Sequence, residues 1–148
     1  MQVTDRQLAT LRSQLAGRTA EEHLRLFNQL GESDNAGYAA LLAAGLFEAI
    51  QRRFAKSNHA SQQTEIIDFI AASRERSEEA PDAIDPNIAE QIILHALGKG
   101  TIAGIDGKAV IRHQIMLLAA LTAQARYNEE ELDAFLSQVR ADAEEMLE

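Results

Sequence analysis

Residues 108–125 read KAVIRHQIMLLAALTAQA, and this stretch decides the fold. It is rich in Ala and Leu, the best helix formers, and holds neither Gly nor Pro. Val110, Ile111, Ile115, Leu117, Leu118 and Leu121 fall on every side of a helical projection, so its middle is apolar all round. A helix of that kind needs other helices to enclose it. The expectation is therefore an all-α chain: a compact bundle of about six or seven helices around a buried central helix at about 108–125.

Working outward, Asp106 stands where an N-cap belongs, at the end of the Gly-rich connection GKGTIAGIDGK (98–108). Before it, Asp85 followed by Pro86 is an N-cap with proline at the first helical position, and Gly98 ends that helix after Ile88, Ile92, Ile93 and Leu97. The preceding APDAIDP reads as a linker, with residues 78–85 a possible join inside one domain spanning 1–148. After the central stretch, Asn128 with Glu131 forms a capping box. Leu132, Phe135, Leu136, Val139 and Met146 then form an apolar stripe with an acidic back.

The N-terminal half follows the same logic. Thr4 with Gln7 is a capping box opening a helix to Gly17, and Thr19 with Glu22 opens a second that stops at Gly31. Ser33 or Asp34 caps a long third helix to about Lys56, with Tyr38, Leu41, Leu42, Leu46, Phe47, Ile50 and Phe54 as its large residues. Ala36, Ala40 and Ala44 recur every four residues, and such a row lets another helix approach closely. This row is the expected self-association interface. The polar SNHAS is a loop, Ser61 caps the next helix, and Ile66, Ile67, Phe69 and Ile70 form its core face.

The chain has 148 residues, enough for one real hydrophobic core, and no cysteine. Disulfides, thiolate metal sites and cysteine nucleophiles are thereby excluded. No apolar run approaches the ~20 residues that span a bilayer, and the N-terminus shows no apolar leader core. A cytoplasmic location away from membranes is expected. Net charge is −9. Residues 1–60 carry seven Lys/Arg against six Asp/Glu, whereas residues 61–148 carry seven against seventeen. Such a chain repels phosphate backbones, which argues against nucleic acid as a partner.

None of the four histidines, His23, His59, His95 and His113, has Asp, Glu or His three or four positions away, so no helical metal site is encoded. The P-loop pattern fails because Ile102 stands where the first Gly belongs and Ala109 where Ser or Thr belongs. A helix-turn-helix over 88–115 would bury most of its own recognition helix. No GxSxG elbow accompanies a Ser/His/Asp set. Neither a cofactor nor a metal is expected.

Two readings of function remain. The leading one is a non-catalytic protein–protein interaction or regulatory module that self-associates as a homodimer or binds another protein. The alternative is a small-molecule-binding bundle with a pocket near His95, Arg112 and His113. In that second reading Lys99, Thr101 and Lys108 would hold an anion against exposed amides of the Gly-rich loop.

Overall fold

The computed structural model describes residues 3–15, 35–56, 59–76 and 84–147. Those residues form six helices and no strand: α1 (Asp5–Leu15), α2 (Asn35–Phe54), α3 (His59–Arg76), α4 (Pro86–Ala96), α5 (Gly107–Ala125) and α6 (Glu129–Met146). The fold is all-α, as the sequence predicts. The helix expected between Thr19 and Gly31 lies outside the described residues, as does most of the 78–85 join. The chain divides into two compact units, residues 1–46 with 122–148 and residues 47–121.

In the first unit, α1 packs on α6. The predicted caps form: the Thr4 amide donates to Gln7 Oε1 at 2.8 Å and the Gln7 amide to Thr4 Oγ1 at 3.2 Å. Asn128 and Glu131 make the same reciprocal pair at the start of α6. Leu132, Phe135, Leu136, Val139 and Ala143 are buried on one side of α6. They repeat at three- and four-residue intervals, which keeps them on one face. Tyr127 stacks on Phe135 with ring centres 5.4 Å apart. Arg140 joins Asp5 at 2.9 Å and the Val3 carbonyl at 2.7 Å, and Arg12 pairs with Asp133. Tyr38 is buried, and that desolvation pushes its phenol up to about 12, because the phenolate would lose its hydration.

Two members of the alanine row are covered within the chain. Ala40 and Ala44 are buried; the side chain of Ala36 lies outside those described. The Gln7 carboxamide rests against Gly37, so close that a Cβ there would collide with it. The small residues of α2 thus admit a polar side chain of α1 to the interior.

In the second unit, Ile50, Phe54, Ile66, Phe69, Ile70, Ile92, Ile93, Leu117 and Leu118 are buried. Phe54 meets Phe69 edge to face at 5.8 Å. Two local expectations change. The helix α3 starts at His59, so Ser61 lies inside it rather than before it: Ala60, a strong helix former, belongs to the helix. Ile67 is 49% exposed. With Ile66, Phe69, Ile70 and Ser73 defining the buried face, Ile67 lies about 100° away from Ile66.

The α4 helix is closed at both ends as expected. The Asp85 carboxylate accepts from the Asn87 and Ile88 amides, and Pro86 occupies the first turn. At the other end Gly98 adopts φ 78°, the Gly98 amide donates to the His95 carbonyl, and the Lys99 amide donates to the Leu94 carbonyl. That pair of bonds is the Schellman motif, which requires a left-handed residue after the cap. No position of α5 from His113 to Leu121 is exposed, consistent with a helix apolar on all sides. Its first turns differ, because Lys108, Ile111 and Arg112 are exposed.

Candidate interaction surface

Among the described residues, the polar residues beside the Gly-rich loop are held by separate contacts. His113 is only 1% exposed, and both ring nitrogens are engaged by backbone. Nδ1 lies 2.7 Å from the Ala109 carbonyl, and Nε2 accepts from the Asp85 amide at 2.9 Å. A carbonyl can only accept and an amide can only donate. These partners therefore fix the neutral tautomer with its proton on Nδ1. His113 is a strut between α5 and the N-cap of α4.

His95 is exposed, with Nδ1 3.3 Å from the Gly100 carbonyl, a contact within its own turn. Lys99 Nζ donates to Gln62 Oε1 at 2.6 Å, while Gln62 Nε2 donates to the Phe54 carbonyl at 2.9 Å. Lys99 thereby anchors the loop to α3. Thr101 Oγ1 accepts from the Ala103 amide at 3.1 Å. At the start of α5 the Asp106 carboxylate accepts from the Ala109 amide at 3.2 Å. A carboxylate thus already sits at the helix N-terminus, where a bound anion would have to compete with it.

Lys108 and Arg112 do come together. With Ile111, Ile115 and Met116 they line an open depression of about 460 Å³ in the second unit. The positions run i, i+3, i+4, i+7 and i+8, one stripe of α5. Ile111 is 53% exposed and lines the same depression as the two cations. Neither Lys108 nor Arg112 pairs with a carboxylate among the described residues, whereas Arg12, Arg52 and Arg140 each do.

Sequence reading picked out Lys108 and Arg112 but not Ile111, Ile115 or Met116 as partners of theirs. Hydropathy alone could not, because an exposed isoleucine scores like a buried one. The usable signal was the i, i+4 pair of cations on a helix otherwise apolar all round. Among the described residues no group of three or more His, Cys, Asp or Glu could hold a metal ion, and no helix is long and apolar enough to cross a membrane. The α5 stripe combines exposed Ile111 and half-buried Ile115 and Met116 with two cations that have no carboxylate partner among the described residues, all carried by one helix. No protein-family model matches the chain, and neither does any curated protein or solved structure.

Proposed function

We propose that the protein is a non-catalytic interaction module that takes a protein partner on the α5 stripe. The observation that carries this reading is the stripe of exposed Ile111 and half-buried Ile115 and Met116 with Lys108 and Arg112, two cations that have no carboxylate partner among the described residues. Accessible apolar side chains beside charged ones resemble the mixed composition of a protein interface. The absence of cysteine is consistent with a cytoplasmic setting for such a module.

Self-association through Ala36, Ala40 and Ala44 has less support. Covering those positions with a second copy would mean displacing the residues that already bury Ala40 and Ala44. A small-molecule pocket would need His113 to release the Asp85 amide or the Ala109 carbonyl.

The test is site-specific photo-crosslinking in cells. A photoreactive amino acid replaces Ile111 in one variant and Ala134, an exposed position of α6, in a control. The expected result is one protein joined to position 111 and absent from position 134. Once purified, that protein should bind the native chain and not Ile111→Asp. Equal labelling at both positions, or none at 111, would refute the reading.

A further inference from the structure

We infer that the segment docking on the α5 stripe is an acidic amphipathic helix of another protein. This rests on the interaction reading above and adds the chemistry of the partner.

The first argument is charge. Lys108 and Arg112 stand one helical turn apart, exposed and without a carboxylate partner among the described residues, on a chain of net charge −9. Covering Ile111 also covers the space beside both cations. An apolar partner would desolvate them without compensation, and a basic one would add repulsion. Carboxylates beside apolar residues satisfy the cations and bury the isoleucine in one contact.

The second argument is the backbone. The stripe belongs to a continuous helix whose amides and carbonyls are already paired along its interior. It offers side chains but no edge for an added strand. A docked segment must then satisfy its own backbone, and a helix does so. Lys108 to Met116 covers roughly 12 Å along the axis, about two turns, so a partner helix of about three turns overlaps it fully.

The third argument separates another protein from a second copy. A two-fold contact through this stripe would bring Lys108 and Arg112 of both copies into one interface, four cations with no carboxylate from the stripe itself. Each copy would also bring nine net negative charges.

Fluorescence anisotropy with the full chain tests the partner chemistry. The probes are a labelled amphipathic peptide of about fifteen residues, with a Leu stripe flanked by Glu, and the same peptide with every Glu replaced by Lys. The acidic peptide should bind at least about tenfold more tightly, and the difference should shrink as salt rises. The double variant Lys108→Glu/Arg112→Glu should reverse the preference. Both positions are exposed, Glu is a good helix former, and at position 108 in the first turn it suits the helix dipole, so circular dichroism should match the native chain.

Equal binding of the two peptides, binding of neither, or a preference unchanged in the double variant would overturn the inference. So would binding of anionic phosphatidylserine vesicles in place of the acidic peptide, or a crosslink at position 111 whose mass is that of two copies of this chain. A crosslink from 111 to another protein, without acidic preference among the peptides, would sink the partner chemistry alone. No crosslink at 111 would sink the interaction reading itself.

Discussion

Each unit is held internally by a different kind of polar contact. In the first, the long-range ties among the described residues run largely through guanidinium groups at the surface: Arg12 to Asp133, and Arg140 to Asp5 and the Val3 carbonyl. In the second, neutral side chains reach backbone: Gln62 to the Phe54 carbonyl, Gln51 to the Ala96 carbonyl, and His113 to the Asp85 amide and the Ala109 carbonyl. The physical consequence is a difference in what each unit tolerates. Surface ion pairs are screened by salt and contribute little each. A buried neutral bond is insensitive to salt, but its loss strands a donor or acceptor away from water.

The largest expected effect is in the first unit and comes from a group that is not an ion pair. With burial raising its pKa from the ordinary 10.0 to about 12, Tyr38 favours the folded state while it stays neutral. That contribution is complete below pH 10 and is lost as pH rises through 10 towards 12. Denaturant titrations across this window should show a loss of about 2–3 kcal/mol. Tyr38→Phe should remove that component of the loss; an unchanged alkaline slope would show that another group carries it.

His113→Leu sharpens the contrast next. It keeps the apolar bulk and removes the acceptor for the Asp85 amide, so a cost of about 1–3 kcal/mol is expected, equal at low and high salt. In the native chain, nitrogen-15 shifts of the imidazole should report the tautomer protonated on Nδ1. The opposite tautomer would contradict the strut.

Gly98→Ala should cost about 1 kcal/mol by urea denaturation, from backbone conformation alone, because nothing lies near a Cβ at that position. A markedly larger loss would mean that the turn holds more than the end of α4. Smallest of all, Arg12→Ala should change stability by about 0–1 kcal/mol, and the change should vanish in high salt. A salt-independent loss from Arg12→Ala would erase the distinction between the units.

Much of the helical order was legible because its signals are local. Thr4 with Gln7, Asp85 with Pro86, Gly98, Asp106 and Asn128 with Glu131 each act within one turn of their own helix. The buried stripe of α6 was equally plain for Leu132, Phe135, Leu136 and Val139, which repeat at helical spacing against an acidic back, but Met146, expected on it, is 57% exposed in the last turn of the helix. Ile67 shows the limit. Adjacent isoleucines at 66 and 67 point about 100° apart, and only the neighbours of α3 decide which is covered.

The candidate surface marks the same limit more sharply. The residue types along α5 fixed a helix apolar on all sides, and its caps fixed where it starts, because propensity and capping are properties of short stretches of chain. Whether Ile111 would be buried like Val110 or left in solvent near Lys108 and Arg112 was not written in those residues. Nor did His113 itself say that its ring would bridge to Asp85, 28 positions earlier. Burial and long-range partners depend on which elements arrive at each face, so tertiary packing alone made His113 an internal strut and left Ile111 exposed.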